Sequence, residues 1–411
     1  MVNEDYNTLK QQLHDRILGK MDFSKELGDD DVKRLIDSEI ALEARERYIS
    51  LKQKQRLSKD LFNSLRKFDL IQDLLDDPEV TEIMINGPEN VFVERNGRVE
   101  ATRERFVSPK RLEDVAYRMA AVADRRINEA TPVVDTRLPD GSRVNIVLKP
   151  VAVDGPIITI RKFSDRFISM DRLIELGSIT QEAADFLKGL VEAGYSVIVS
   201  GGTGSGKTTF LNMLSGFIPE EERIVTIEDA VELKIVNHKN LVRLESRAGN
   251  REGANAVTIR DLIRASLRMR PDRVIVGEVR GVEAVDMLQA MNTGHDGSMS
   301  TIHANSAADV FSRLETMVLL SADLPLAAVR GQIASALDIV VQLGRMRDKS
   351  RKVLEICEVE RGEEGKIKIN PLFRFVESDN STSEKVEGEL KKVGELKKTR
   401  KLEAFRGREQ S

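Results

Sequence analysis

Residues 201–209 constrain the fold of this chain more than any other stretch of its sequence. They fit the pattern G-x-x-x-x-G-K-[ST], in which a closely wrapped backbone points its N–H groups at phosphate oxygens. The residues are Gly201, Gly202, Thr203, Gly204, Ser205, Gly206, Lys207, Thr208 and Thr209. The apolar run 197–199 before them predicts a short buried strand, and 210–214 after them predicts a helix. This context predicts a phosphate-binding loop of the kind that nucleoside triphosphatases use.

Two side chains of the loop have defined roles in such a site. Lys207 is expected to meet the β- and γ-phosphates, and the Thr208 hydroxyl is expected to coordinate Mg²⁺. The following helix adds the positive end of its dipole. The glycines also suggest a dinucleotide-binding fingerprint, but this interpretation is weaker because that motif needs neither Lys207 nor Thr208.

Composition limits the class of protein. Of the 411 residues, 64 are Lys or Arg and 68 are Asp or Glu, so no global basic field points to nucleic acid. The single cysteine, Cys357, allows neither an internal disulfide nor a zinc knuckle, and it suits a reducing cytosol. The start of the sequence is polar, and no run of about 18 apolar residues occurs, so no secretory signal or membrane span is predicted. Membrane association is therefore expected only through a partner.

Changes in composition and hydrophobic pattern divide the chain into segments. The length favours two or three domains over one core. The predicted segments are a helical accessory region at 1–60, an α+β domain at 61–163, a linker at 164–171, a phosphate-loop domain at 172–345, a strand-rich segment at 346–376 and a charged, mobile tail at 377–411. Within them, residues 29–31 are predicted to cap a helix, and Asn96-Gly97 to turn a β-hairpin.

Strands alternate with helical patterns in the phosphate-loop domain. The predicted strands are 196–200, 223–227, 273–276, 298–302 and 338–343. This alternation predicts a three-layer α/β fold with a mainly parallel sheet. Because ligands bind at the carboxyl ends of parallel strands, the chemistry is expected to cluster there.

Carboxylates follow two of these strands. Glu228 comes directly after the run 224–227 and is followed by Asp229, while Glu278 closes the strand that Asp272 opens. Hydrolysis needs one carboxylate to orient or deprotonate water and another to hold Mg²⁺ through its waters. We therefore expect Glu278 to be the catalytic base, and Glu228 and Glu278 to hold Mg²⁺ through water beside Thr208.

Two of the chain's 4 histidines, His295 and His303, flank the predicted strand at 298–302. If the strand ends near the nucleotide, these side chains are placed to sense the γ-phosphate. A zinc site is the rival interpretation. Two histidines with no cysteine nearby do not supply its four ligands.

These motifs, in this order, resemble the secretion-superfamily ATPases, and most closely the CpaF/TadA type that powers tight-adherence and related type IV pilus assembly. The resemblance extends from about residue 75 to about residue 360. It is carried by 201–209, by 227–229, by 267–272 with 278–281, and by 291–295 with 303–306. They resemble the Walker A motif, Asp box, Walker B motif and His box of that family. The resemblance implies a RecA-like P-loop ATPase core, ATP with Mg²⁺, and a homohexamer on an inner-membrane platform protein.

The resemblance also assigns roles to two arginines of the α+β domain. Arg143, in Gly-Ser-Arg-Val, and Arg161, in Thr-Ile-Arg-Lys, match family arginines that reach phosphates from the N-terminal domain. Arg137 matches no such motif and is interpreted as an ordinary surface arginine.

The preferred interpretation is a cytoplasmic motor, peripheral at the inner face of the cytoplasmic membrane, that hydrolyses ATP to drive pilus assembly or protein secretion. One alternative is a type IV secretion ATPase that exports DNA or effector proteins. Another is a RecA-like nucleic-acid translocase, but that class uses basic, aromatic loops, and this chain has no Trp and a net charge of −4. A scaffold that binds ATP without hydrolysis has no need of Glu278.

Overall fold

The chain folds into two compact units, Met1–Asp165 and Arg166–Ser411. The computed structural model describes residues 2–22, 27–95, 97–163, 168–236, 238–247 and 255–409. Each unit contains its own β-sheet and its own hydrophobic core. Within the described residues, no helix has the length and apolar character needed to cross a bilayer.

Three helices open the first unit: α1 (Val2–Lys20), α2 (Asp29–Glu46) and α3 (Leu51–Arg66). Apolar side chains three and four positions apart pack between them. The buried members include Leu9, Leu13, Ile17, Val32, Ile36, Ile40, Leu57 and Leu61. The prediction that residues 29–31 cap α2 is wrong, because the N-cap is Gly28 and no side chain caps the helix. The three aspartates lie in the first turn instead, where their charge suits the helix dipole.

A six-stranded sheet forms the rest of the first unit. Its elements are α4 (Leu70–Asp76), β1 (Val80–Asn86), β2 (Asn90–Arg95), β3 (Arg98–Ala101), α5 (Pro109–Val122), β4 (Val133–Arg137), β5 (Arg143–Val147) and β6 (Ile157–Arg161). The strand order is β3-β2-β1-β6-β5-β4, with antiparallel neighbours throughout. Ile158 and Ile160 of β6 are buried with Leu112 and Met119 of α5, so the alternate residues of the strand face the other side.

Two predictions fall partly outside the described residues. In the Asn96-Gly97 turn, Gly97 has a φ of 76°, which glycine adopts freely, whereas Asn96 lies outside the described part of the chain. In the linker predicted at 164–171, residues 164–167 also lie outside it. The predicted linker extends too far, because α6 already begins at Met170.

A nine-stranded sheet forms the second unit. Its first elements are α6 (Met170–Glu175), α7 (Gln181–Glu192), β7 (Val197–Gly201), α8 (Lys207–Ser215), β8 (Ile224–Glu228), β9 (Leu241–Glu245), α9 (Ile259–Ser266), β10 (Arg273–Val279), α10 (Ala284–Asn292), β11 (Met299–Ile302), α11 (Ala307–Leu319), α12 (Leu326–Ala336) and β12 (Ile339–Arg345). The strands run parallel in the order β12-β7-β11-β10-β8-β9.

Helices cover both faces of this parallel sheet. Along β7, Val199 packs with Leu187 of α7 and Leu211 of α8 in one core, whereas Ile198 packs with Leu314 of α11 in another. The prediction of an α/β fold with a parallel sheet between helical layers is confirmed. The edge strand β9 was not predicted, because its short, half-exposed sequence lacks the continuous apolar run of the central strands.

The sheet continues through antiparallel strands at its other side. They are β13 (Arg351–Arg361), β14 (Ile367–Glu377) and β15 (Gly388–Lys392), with a 3₁₀ turn at Glu363–Gly365, and α13 (Arg400–Glu409) follows. Because β12 pairs with β13 along its whole length, the structure shows no break at residue 345. The prediction of a mobile tail at 377–411 is wrong. There β15 pairs with β14, and its Leu390 is buried with Val386.

The segment between β15 and α13 is held against the sheet by hydrogen bonds. The Glu358 side chain is fully buried and accepts from the backbone N–H groups of Lys397, at 3.0 Å, and Lys398, at 2.7 Å. The Tyr195 hydroxyl donates to the Lys398 carbonyl oxygen. This highly charged segment is therefore ordered, because buried side chains of the sheet form hydrogen bonds with its backbone.

Lys401 of α13 provides a further attachment. Its Nζ lies 2.8 Å from Asp296 Oδ1 and 2.9 Å from Asp338 Oδ2. Asp296 precedes β11 and Asp338 precedes β12, so both carboxylates lie at the amino-terminal edge of the parallel strands. The C-terminal segment therefore covers the edge of the sheet opposite the strands' carboxyl ends.

Candidate active site

The phosphate loop lies between β7 and α8 at the carboxyl end of the strand. Gly201 has a φ of 155°, and a Cβ there would come within 2.5 Å of Ser205 Oγ and 2.7 Å of the Leu343 carbonyl oxygen. Gly206, the N-cap of α8, has a φ of 94°. Both positions need glycine because an added side chain would be strained or would clash. The loop is wrapped at a helix N-terminus, which is the geometry that phosphate binding requires.

Lys207 points into this loop and is buried. Its Nζ donates to the carbonyl oxygens of Gly201 and Gly202, at 3.0 Å each, and lies 3.3 Å from His303 Nδ1. Thr208, the next residue of α8, is half-buried at the same end of the helix. The ammonium group is therefore placed at the centre of the loop, with a histidine of a neighbouring strand beside it.

Glu228 ends β8 as a buried carboxyl group. Its Oε1 accepts from the backbone N–H groups of Glu232, at 2.9 Å, and Leu233, at 3.0 Å. Its Oε2 accepts no hydrogen bond from the described residues. Burial raises the pKa of Glu228 and so favours its neutral form, whereas a nearby cation would favour the ionised form.

Glu278 lies near the end of β10 between a histidine and an arginine. His303 Nε2 is 2.9 Å from Glu278 Oε1, and Arg280 Nη2 donates to Oε2 at 2.7 Å. Burial, followed by the neighbouring Lys207 ammonium, lowers the pKa of His303 below its ordinary value. The imidazole is therefore neutral near pH 7, and we assign its proton to Nε2 because Nδ1 faces the donor Lys207. Lys207, His303 and Glu278 form a polar chain of adjacent groups, in which the 2.9 Å approach of His303 Nε2 to Glu278 Oε1 is a close contact and not a hydrogen bond.

Oxygen atoms without a hydrogen-bond partner among the described residues concentrate at this edge. They include Ser200 Oγ, Glu228 Oε2, Glu278 Oε1 and Gln342 Oε1, and all of them are buried. Proteins leave few buried polar atoms unpaired, so such a group indicates where water, an ion or a ligand supplies the bonds. The available atoms are oxygens, which suits a hard cation such as Mg²⁺. In the part of the chain described, no three His, Cys, Asp or Glu side chains are grouped to bind a metal directly.

A cavity of about 230 Å³ lies beside the loop. Its apolar wall is formed by Ile168, Leu173, Leu176, Phe210, Leu343 and Val353, and its cationic side by Lys349, Arg351 and Lys352. Arg351 Nε donates to the Gly204 carbonyl oxygen at 2.9 Å. Sequence reasoning missed Arg351, because no local motif marks it and only the pairing of β13 with β12 brings it to the loop.

The structure separates the two predicted histidines. Because β11 runs parallel to β7 with Ile302 opposite Ser200, His303 follows the end of the strand that lies beside the loop. His295 precedes the other end, where its Nδ1 lies 3.1 Å from the Ala290 carbonyl oxygen of α10. The prediction that both histidines sense the γ-phosphate is corrected for His295, because strand direction brings only His303 beside the phosphate loop.

The other two carboxylates of the predicted clusters, Asp229 and Asp272, lie at opposite edges of the parallel sheet. Asp229 directly follows β8, and its Oδ2 is 3.8 Å from Arg280 Nη1. Asp272 precedes β10, and its Oδ2 accepts from the Arg223 backbone N–H at 2.7 Å. Asp229 is therefore a neighbour of the candidate site, whereas Asp272 is a structural group at the opposite edge.

Arg143 and Arg161 belong to the first unit, where they lie directly opposite each other on β5 and β6. Arg137 of β4 lies directly opposite Arg143, so the three side chains form one row on the same face of the sheet. At the end of this arginine row, Arg161 Nε is 3.9 Å from Glu82 Oε1. Like charges opposite one another destabilise a sheet, so Arg137 and Arg143 are energetically coupled, and the interpretation of Arg137 as an ordinary surface arginine stays a prediction.

Comparison with known proteins identifies relatives of the whole core. The family model described as type II/IV secretion system protein matches residues 64–401. A putative conjugal transfer protein of Mycobacterium tuberculosis is 37% identical over 300 residues, covering 72% of this chain and 85% of that protein. The type IV secretion system protein PtlH of Bordetella pertussis is 34% identical over 304 residues, covering 68% and 90%. The structure of the Legionella pneumophila ATPase DotB has a TM-score of 0.51 at 20% identity, covering 69% and 78%, and shares the fold.

Proposed function

Because this chain belongs to the type II/IV secretion system protein family, we propose that it is an ATP-hydrolysing motor of a pilus assembly or secretion system. The observation that carries the proposal is the polar chain from Lys207 through His303 to Glu278. It joins a phosphate-binding loop to a carboxylate able to act on water. A protein that only binds nucleotide needs the loop but has no need of a carboxylate that acts on water.

The residues divide the chemistry among them. Lys207 and the loop N–H groups bind the phosphates, and the apolar wall of the adjacent cavity suits the base of ATP. Thr208 directly, and Glu228 and Glu278 through water, would hold Mg²⁺, which neutralises phosphate charge when bound. Glu278 accepts the proton of the attacking water. The Nδ1 atom of neutral His303 faces the Lys207 ammonium group. When that ammonium group moves to the γ-phosphate, His303 loses this contact, and in this way it senses the nucleotide.

The wider assembly is part of the proposal. We infer a homohexamer at the inner face of the cytoplasmic membrane, docked on an inner-membrane platform protein of a tight-adherence-like pilus or secretion system. The second candidate is a type IV secretion ATPase that exports DNA or effector proteins, and the names of the conjugal transfer and PtlH relatives favour it. The net charge of −4 weighs against a nucleic-acid translocase.

Purification of the tagged chain from membranes tests the proposal. We expect a polytopic membrane protein in the eluate and phosphate release by the eluted protein that depends on Mg²⁺ and ATP. Recovery of nucleic acid in place of a membrane protein would support the translocase. If the assembled complex binds nucleotide but releases no phosphate, the protein is a nucleotide-binding scaffold, and the proposal of a motor is wrong.

Replacing His303 with alanine should slow hydrolysis about 10-fold to 100-fold, while affinity for ATP changes little. The reason is its position between Lys207 and Glu278. The matched control is His295→Ala, which removes a bond to a helix end and should cost about 1 kcal/mol of unfolding free energy with turnover near the parent's. Steady-state phosphate release and thermal unfolding of both variants decide this. Equal loss of turnover in the two would contradict the separation of the histidines.

A further inference from the structure

Arg280 connects the two acidic motifs of the site. Its Nη2 donates to Glu278 Oε2 at 2.7 Å, and its Nη1 lies 3.8 Å from Asp229 Oδ2. The hydrogen bond to Glu278 raises the pKa of Arg280 further, so the guanidinium remains a cation. Its side chain is 60% exposed, and ion pairs this exposed contribute little to stability. The contact therefore contributes little to the stability of the fold, and its importance depends on what it does to Glu278.

The backbone of Arg280 is fixed independently of its side chain. The N–H groups of Arg280, at 2.6 Å, and Gly281, at 2.8 Å, both donate to Glu283 Oε1. This carboxylate closes the turn between β10 and α10 and sets the point from which the Arg280 side chain starts. The guanidinium is thus directed to Glu278 from a defined position.

The two oxygens of Glu278 have different surroundings. Oε2 is occupied by the charge-assisted bond from Arg280. Oε1 lies 2.9 Å from His303 Nε2 but accepts no hydrogen bond from the described residues. A general base must present a lone pair to water in a set direction. Arg280 engages Oε2 and leaves Oε1 as the oxygen whose lone pair is not taken by a hydrogen bond from the described residues.

We propose that Arg280 is a positioning residue for the hydrolysis of ATP, which orients Glu278 so that Oε1 faces the attacking water. Arg280 acts through Glu278 and contacts neither the nucleotide nor the water. The inference rests on the proposed function, because it gives Arg280 a role in the reaction that Glu278 performs.

The test compares Arg280→Ala and Arg280→Lys in the full chain. Arg280→Ala should lower kcat about 10-fold to 100-fold through loss of orientation, with KM for ATP unchanged. Arg280→Lys keeps the charge but not the planar fork and should restore part of kcat. Arg330→Ala is the matched control, because Arg330 makes a comparable 2.8 Å pair with Glu315 between α12 and α11 and should leave both constants unchanged. Thermal unfolding of each variant shows whether the fold is retained.

A second comparison separates this inference from the proposed function. Adding Arg280→Ala to Glu278→Gln should cause no further loss, since the arginine acts through the carboxylate. Parental kcat in Arg280→Ala, a raised KM, or multiplicative losses in the double variant would each overturn the inference while the motor proposal stands. Parental kcat in Glu278→Gln itself would instead overturn the assignment of the base.

Discussion

Replacing Glu278 with glutamine is expected to lower the rate of ATP hydrolysis about 10²-fold to 10⁴-fold while ATP still binds. Glutamine keeps the shape of the side chain and can still accept from Arg280, but it cannot take a proton from water. Lys207→Ala should behave differently and lose binding as well as hydrolysis, because its ammonium lies inside the phosphate loop. ATP affinity measured beside steady-state phosphate release distinguishes the two effects.

The control for this experiment is Glu245→Gln. Glu245 is the last residue of the edge strand β9, and Glu278 occupies a similar position near the end of β10. Unlike Glu278, Glu245 is exposed. Its replacement should leave both binding and turnover at the parental level. Near-parental turnover in Glu278→Gln would mean that another group is the base.

The double replacement of Arg143 and Arg161 with alanine is expected to reduce hydrolysis about 10³-fold to 10⁵-fold. Charge on the phosphoryl oxygens in the transition state calls for cations beyond Lys207, and a planar guanidinium can bind two oxygens at once. Mixing this double variant with Lys207→Ala shows which chain supplies the arginines. Partial return of activity means that they act on a neighbouring subunit's site, and no return means that they act within one chain.

The choice of control follows from the arginine row. Arg137 is unsuitable, because it lies directly opposite Arg143 on the same face of the sheet. Arg105 of the same unit is 70% exposed and 3.7 Å from Glu89, so Arg105→Ala should leave hydrolysis unchanged. If the double variant also hydrolyses ATP at the parental rate, both arginines are ordinary surface residues.

Features that depend on neighbouring residues in sequence were predictable. The glycines of the phosphate loop, the apolar strand before it and the carboxylates after β8 and β10 all follow from local pattern and strand direction. The parallel sheet followed from the alternation of strands and helices. The sequence pattern of these elements therefore predicts Lys207 and Glu278 at one edge of the sheet.

Features that depend on distant pairing were not predictable. Both histidines adjoin the same strand in sequence, and only the parallel register of β11 with β7 shows that His303 alone reaches the loop. Arg351 reaches Gly204 because β13 folds back along β12. The charge of the tail led to the wrong prediction that it is mobile. Its backbone is held by the buried Glu358, and no sequence pattern near the tail predicts this contact.

The order in which the sheet is built also matters while the chain is being made. The strand that carries the phosphate loop, β7, lies between β11 and β12, which leave the ribosome about 100 and 140 residues later. At ordinary rates of synthesis that delay is on the order of ten seconds, during which the apolar strand β7 has no partner and is a candidate for chaperone binding. Gly201 pairs with Leu343 of β12, so this side of the strand end that leads into the loop stays unpaired until β12 has been made. A nascent chain that stops before Ile339 carries every residue of the nucleotide-binding motif but lacks the strand β12 that pairs beside it.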